Sequence, residues 1–298
     1  MTVYHRLHNF ASLALFLVLT LTACGVPSRL NLVPATHTPT PSPTPTGTPI
    51  PLAVSVNGEG ITIPEFEAEL ARYQTAQTAL GITVSPEAAR KTVSDEFVDI
   101  LLLVQAATAG GYHVEAAALQ SRIDSLAAQV GGPEALTAWQ AAHGYTQAAF
   151  STDLRRQMAA AHMRDQIAAS VSTTAEQVHV KQILLYDSDT AQKVLGYLKA
   201  GKDFNELAAQ YDPVTKGELG WLPRGYLPDP AIEAAAFALQ PDQYSDIIQT
   251  QAGWSILFVV ARDPARLLSP DALLTLQERA LQDWLTKQRN ASTILITP

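Results

Sequence analysis

"KGELGWLPRG", residues 216–225, places three glycines in ten positions around an apolar segment that contains a tryptophan. It is too rich in glycine for a helix and too apolar for an ordinary surface loop. It reads as a short bent strand, with Gly217 and Gly220 at points where a side chain would obstruct the backbone. The flanking chain supports that reading. "VHVKQILLY" (178–186) alternates in part and predicts a strand. "DTAQKVLGYLKAG" (189–201) predicts a helix with a glycine stop, and "DFNELAAQY" (203–211) a second helix with Asp203 as its N-cap. After the quoted stretch, "PAIEAAAFAL" (230–239) predicts a helix, and "DIIQTQ" (246–251) and "WSILFVV" (254–260) two strands. The order β-α-α-β-α-β-β over residues 178–263 describes a small sheet covered by helices.

Before this segment the chain is helical and rich in alanine. "AVSVNGEGIT" (53–62) alternates, turns at Asn57-Gly58 and reads as a short strand; Thr62 and Glu65 have capping-box spacing. "PEFEAELARYQTAQTAL" (64–80) places Phe66, Leu70 and Tyr73 on one face. Ser85-Pro86 opens a second helix that stops at Gly110-Gly111. Three more follow, in "EAAALQSRIDSLAAQV" (115–130), "PEALTAWQAAH" (133–143) and the long "TQAAFSTDLRRQMAAAHMRDQIAAS" (146–170). Alanine allows close helix packing but contributes little apolar area per residue, so exposed grooves are expected. Ser269-Pro270 opens a last helix with Leu273, Leu276, Ala280 and Trp284 along one stripe, and "STILITP" (292–298) reads as a strand.

The N-terminus has a different character. Arg6, His5 and His8 precede "FASLALFLVLTLTA" (10–23), which carries no charge and is shorter than the ~20 residues a membrane-spanning helix needs. A basic start, a short apolar run and small residues read as a secretory signal. Cys24, the only cysteine, ends "LTAC", so no disulfide can form within the chain. This segment resembles a bacterial lipobox, which implies lipidation of Cys24; an uncleaved anchor with an incidental cysteine is the alternative. "THTPTPSPTPTGTP" (36–49) has proline at nearly every second position, which forbids helix and sheet and describes an extended spacer at ~3.1 Å per residue. The net charge is −8 and no basic patch stands out, which argues against nucleic acid as a partner. His113, His143 and His162 have no ligand-like spacing, and no metal or cofactor is expected.

Two family resemblances add to this reading. "VNGEGITIPEFEAEL" (56–70) and "GYTQAAFSTDLRRQMAAAHM" (144–163) resemble the N-terminal chaperone region of SurA-type and PrsA-type foldases. "DFNELAAQY", "GELGW", "LPDPAIEAAAFAL" and "GWSILFVVARD" occur in the order found in parvulin-type (PpiC, rotamase) peptidyl-prolyl isomerase domains. The resemblance implies an α+β protein. Its helical chaperone-like domain would include a small β-pairing of residues 53–56 with 293–297. Its parvulin domain would have a four-stranded antiparallel sheet flanked by helices. The expected boundaries are a signal peptide over 1–23, the lipidated cysteine and linker over 24–52, and the helical domain over 53–174. The parvulin domain follows over 175–264, and 265–298 returns to the helical domain.

The chemistry implied is rotation about an X-Pro bond, over a barrier of ~18–20 kcal/mol and with no covalent change. The catalyst must bind the twisted amide better than the planar ones, which calls for an apolar cup and polar groups around the carbonyl. The resemblance maps the cup to Leu227, Ile232 and Phe237, with Trp221 and Leu222 contributing to the lining; ordinary core packing is the alternative, above all for Phe237. It maps the polar side to Gln182, Asp212 and Ser255. Two of these depart from the family, which has histidine in a "HIL" triplet where "QIL" stands here, and a second histidine two residues after a glycine where "GWS" gives Ser255. His179, three residues before Gln182, should point to the opposite face. The implied function is a membrane-anchored foldase acting on unfolded or partly folded exported polypeptides, with reduced isomerase activity. The alternative is a non-catalytic chaperone or peptide-binding lipoprotein.

Overall fold

The computed structural model describes residues 51–297. The signal-like run, Cys24 and almost all of the proline-rich spacer lie outside the described residues.

The described chain builds a helical module and a sheet module. The helical module opens with a hairpin, β1 (Leu52–Val56) and β2 (Glu59–Thr62), turning at Asn57 and Gly58, both with positive φ. What reads as one strand in the sequence is therefore two. The last strand, β8 (Ile294–Ile296), adds to β1 in antiparallel register, Val54 opposite Ile296 and Val56 opposite Ile294, so the expected pairing of residues 53–56 with 293–297 is present. Five helices follow the hairpin: α1 (Ile63–Ala79), α2 (Pro86–Ala109), α3 (Ala116–Val130), α4 (Pro133–Ala142) and α5 (Gln147–Ala169). Thr62 caps α1 by accepting from the Glu65 amide at 3.4 Å. The Glu65 carboxylate turns instead to Arg156 of α5, so the capping box is only half formed and a tie between helices takes its place. Helix α2 is central, burying Val93, Phe97, Val98, Leu101 and Leu102 with Val54, Val56, Ile61 and Phe66 in one core.

Helix α9 (Pro270–Ala291) returns to this module. Ala280, Leu281, Trp284 and Leu285 pack around buried Leu103, Ala160 and Ile167. Arg289 near its end donates to Asp99 at 2.7 Å and to Asp95 at 3.2 Å on α2, and these bonds raise its pKa.

The sheet module is inserted between α5 and α9. Its elements are β3 (Thr174–Leu185), α6 (Ser188–Lys199), α7 (Phe204–Tyr211), β4 (Glu218–Pro223), α8 (Pro230–Ala238), β5 (Gln243–Tyr244), β6 (Ile248–Thr250) and β7 (Gly253–Leu267). The sheet is antiparallel, ordered β4-β3-β7-β5 with β6 also on β7. It has five strands, one more than the sequence suggests; the extra one, β5, has only two residues and is too short to show a period. Alternation along β3 and β7 splits the core in two. Ile183, Leu185 and Ile256 pack with Val194, Leu198, Phe204 and Leu207 of α6 and α7. Val178, Val180, Leu257 and Val259 pack with Leu222 and with Ile232, Ala236 and Phe237 of α8.

Candidate functional site

The second of these faces carries the candidate site. Gln182 lies two residues beyond Val180 on β3, and Ser255 two residues before Leu257 on β7, so both share the α8 side of the sheet. The register sets Gln182 opposite Leu257 and Leu184 opposite Ser255, which makes the two residues diagonal neighbours. Gln182 Nε2 donates to Ser255 Oγ at 2.7 Å. Ser255 is 1 % exposed. The amide retains a second N–H, and the hydroxyl retains its own proton.

The apolar residues assigned to the cup divide into two sets. Leu222, Ile232 and Phe237 are buried in the α8-side core, with Leu227 half-buried against them. These four are packed on one another, so in this conformation they form a wall more than an open hollow. Trp221 is not among them, and its expected place in the lining is corrected. Adjacent strand residues face opposite ways, so if Leu222 points inward Trp221 points to the α6–α7 side. There its ring stacks on His179 at 5.3 Å, and the Arg266 guanidinium lies 4.3 Å over it. His179 also bonds Glu218 and takes no part in the Gln182–Ser255 face.

Asp212 does not join the pair through its side chain. Its carboxylate accepts from the amides of Val214 at 3.1 Å, Thr215 at 3.0 Å and Gly217 at 3.3 Å, and from the Thr215 hydroxyl. These bonds, with that to the Thr215 hydroxyl first, hold its pKa below the usual carboxylate value. The turn so fixed ends on β3, where the Gln182 amide donates to Gly217 O at 2.7 Å. Asp212 thus shapes the loop that supports the Gln182 backbone. Gly217 has φ +73°, and a Cβ there would collide with the Gln182 carbonyl oxygen, so glycine is required.

A residue overlooked in the sequence is Leu219. The register pairs Val180 with Gly220 and Lys181 with Glu218, leaving Leu219 as the unpaired residue of a bulge, 38 % exposed. An apolar residue between two glycines on an edge strand was the available signal.

The loop joining β4 to α8 is pinned on both sides. Gly225 N donates to Glu233 at 2.7 Å, and Gly225 O accepts from Arg279 of α9 at 3.0 Å. Between this loop and α9 lies a cleft of about 550 Å³ lined in part by Tyr226, Leu227, Glu278 and Asp283.

A sheet with a helix-covered apolar face and a polar pair upon it is thus inserted into a helical module closed by the pairing of β1 with β8. Residues 186–261 match the PPIC-type PPIASE (rotamase) domain. Residues 14–164, just over half of the chain, match the SurA-like N-terminal domain, and the chain belongs to that family. It is 34 % identical over 119 residues to the foldase protein PrsA of Halalkalibacterium halodurans, covering 38 % of this chain and 33 % of that relative. It is 33 % identical over 131 residues to the chaperone SurA of Methylococcus capsulatus, covering 39 % of this chain and 28 % of the relative. The chain therefore spans about a third of the length of the curated relatives it matches. Among solved structures, the peptidylprolyl isomerase PrsA of Bacillus cereus superposes with a TM-score of 0.46 at 20 % identity, covering 80 % of this chain and 89 % of that one.

Proposed function

We propose that the chain is an extracytoplasmic foldase, tethered to a membrane through a lipid on Cys24, in which residues 175–264 bind and slowly isomerise X-Pro segments of exported polypeptides. Residues 53–174, with 265–298 returned onto them, hold the client. The Gln182–Ser255 hydrogen bond on the apolar α8 face is the observation that carries this reading. It puts two groups that can each donate and accept hydrogen bonds beside the wall formed by Leu222, Leu227, Ile232 and Phe237. As the X-Pro amide twists, its nitrogen loses conjugation with the carbonyl, and the lone pair so localised becomes a better hydrogen-bond acceptor. The free N–H of Gln182 and the hydroxyl of Ser255 then bind the twisted amide better than the planar one, the differential binding that catalysis requires. Asp212 acts on the loop beneath Gln182. No cofactor or metal enters this reaction.

Membrane attachment is supported by the N-terminal sequence: the basic start, the apolar run and "LTAC". Among the described residues no helix is long and apolar enough to cross a membrane. A holding role is supported by a groove of about 390 Å³ between α3, α4 and α5, lined in part by Ile123, Leu136, Tyr145 and Phe150.

The burial of Ser255 favours a second reading, in which the sheet module grips extended segments without turning them over. A buried hydroxyl whose oxygen already accepts from Gln182 is poorly placed to follow a rotating carbonyl.

NMR exchange spectroscopy on a short X-Pro peptide separates the two. Isomerisation faster than the unassisted tens of seconds supports the foldase. Exchange at the blank rate, with the protein still suppressing aggregation of an unfolded client, supports the holding module. Failure of C24S to leave the membrane fraction would overturn the lipid anchor.

A further inference from the structure

We propose that Arg262 is a positioning residue of this site, fixing the C-terminal end of α8 and so the apolar wall opposite Gln182 and Ser255. The inference rests on the reading of residues 175–264 as a proline-binding module.

The last carbonyls of a helix have no partner within it. Helix α8 ends with Leu239 in extended conformation, φ −78° and ψ 148°, so no left-handed turn folds back to satisfy them. Arg262 of β7 supplies the missing donors: its Nη2 donates to Phe237 O and to Leu239 O, each at 2.8 Å. Its Nη1 donates to Glu176 Oε1 of β3 at 3.0 Å. Glu176 Oε2 accepts from Arg224 Nε at 3.1 Å, and the Arg224 guanidinium lies 4.0 Å over the Phe237 ring. A closed circuit therefore runs from the end of α8 through β7, β3 and the residue after β4, and back to an α8 side chain. The two guanidinium groups do different work. Arg262 holds the helix backbone and Arg224 covers its aromatic side chain, while the single carboxylate of Glu176 keeps both in place.

The N-terminal end of α8 is held independently, because Glu233 in its first turn accepts from Gly225 N of the preceding loop at 2.7 Å and Gly225 O accepts from Arg279 of α9 at 3.0 Å. Asp229 Oδ1 accepts from the amides of Ala231 at 2.8 Å and Ile232 at 3.3 Å. With that end fixed, the tilt of α8 is set at the Arg262 end, and the tilt decides how far Ile232 and Phe237 stand from Ser255. Arg262 Nε is buried without a partner, alone among the buried side-chain nitrogens and oxygens of the described residues. The guanidinium is thus oriented to serve the two carbonyls and Glu176 at the expense of its third nitrogen. Lysine cannot substitute, because a single ammonium lacks the planar fork that reaches two carbonyls and a carboxylate together.

The test compares R262K with the full-length wild-type chain by amide hydrogen exchange and by titration with an unlabelled Ala-Ala-Pro-Phe peptide, read from the Ile232 methyl signal. In R262K the amides of residues 234–238 are expected to exchange about tenfold faster, while those of β3 and β7 keep their protection. The half-saturating peptide concentration is expected to rise about threefold or more, with any rate at saturation little changed, the pattern of lost uniform binding. E176Q should show the same effects in weaker form. Unchanged protection of α8, or equal loss of protection across the sheet, overturns the positioning role. A wild-type chain that binds the peptide without accelerating exchange removes catalysis and leaves this inference to be decided by the hydrogen exchange and the titration. A wild-type chain that does not bind the peptide removes both.

Discussion

The Gln182 side-chain amide donates to Ser255 Oγ at 2.7 Å, diagonally across two central strands. The bond gives a nearly fully buried hydroxyl oxygen its donor, and it spans the point where β3 and β7 lie beneath the apolar wall of α8. Removing Gln182 would leave that oxygen unsatisfied. Q182A is therefore expected to destabilise the fold by about 1–3 kcal/mol in urea unfolding. The double variant Q182A/S255A should cost less than the sum of the singles. Strict additivity would show that the two groups are not partners.

Histidine at both positions is what the resemblance carried by the sequence implies for an active module. In Q182H/S255H the rate of X-Pro exchange is expected to rise about tenfold, equivalent to about 1.4 kcal/mol at the transition state. Because Ser255 is buried, the larger ring there is expected to cost about 1–3 kcal/mol by overpacking, so the melting temperature must be read alongside the rate. A folded double variant with unchanged exchange would show that the surrounding geometry no longer supports catalysis.

Gly217 and Gly220 both have positive φ, but their surroundings differ. A Cβ at Gly217 meets the Gln182 backbone, whereas one at Gly220 meets nothing within 4 Å. G220A is expected to cost about 1–2 kcal/mol from backbone strain alone. G217A should cost more and should shift the Gln182 amide signal in an NMR spectrum, since that amide donates to Gly217 O. Equal costs, with no shift at Gln182, would contradict the close approach.

The helical module should respond to pH through a carboxylate cluster. Burial, then repulsion from Glu69, raises the pKa of Asp153; burial, then Glu69 and Asp153, raises that of Glu96. Both line a small cavity between α1, α2 and α5. Facing Asp153 are Glu69, Arg72, Arg156 and the Tyr145 hydroxyl at 3.3 Å, and the tyrosine is itself pushed up to about 12. A carboxyl whose pKa is higher folded than unfolded adds stability below its unfolded value and loses it as pH rises through the folded value. These two groups therefore favour the module below neutrality. Asp95 acts in the opposite sense. Its bond from Lys91, then that from Arg289, lowers its pKa, so its stabilisation is present at neutral pH and is lost as acid titrates it. D153N is expected to stabilise the protein at pH 7 by roughly 0.5–2 kcal/mol and to reduce the loss of stability as pH rises above the ordinary carboxylate range. A D153N melting temperature at or below wild type at pH 7 would contradict this.

Much of the architecture was legible in the residues. Ser85-Pro86, Ser269-Pro270 and Asp203 start helices where their hydrogen bonds to the following amides demand, at 3.2, 3.2 and 3.0 Å. Phe66 and Leu70 lie on the buried face of α1, as their spacing requires. What was not legible depends on how strands meet. The two-residue strand β5 is defined only by its partner β7. The bulge that leaves Leu219 unpaired is a property of the pairing with β3 and of neither strand alone. Trp221 was assigned through the family resemblance to a lining from which the alternation of β4 turns it away. The Arg262–Glu176–Arg224 circuit joins residues up to 86 positions apart with no local pattern to mark them.

Local chemistry by itself settled where the helices and the longer strands lie, because caps, glycine stops and apolar periods act over a few residues and need no partner. The composition of the polar pair was equally plain, since Gln182 and Ser255 are simply present where they are. Only the tertiary structure decided that the two share a hydrogen bond, that Asp212 spends its carboxylate on its own loop, and that α8 closes over the apolar face. Each of these depends on register and helix placement, which are set by packing between distant parts of the chain and not by any stretch read alone.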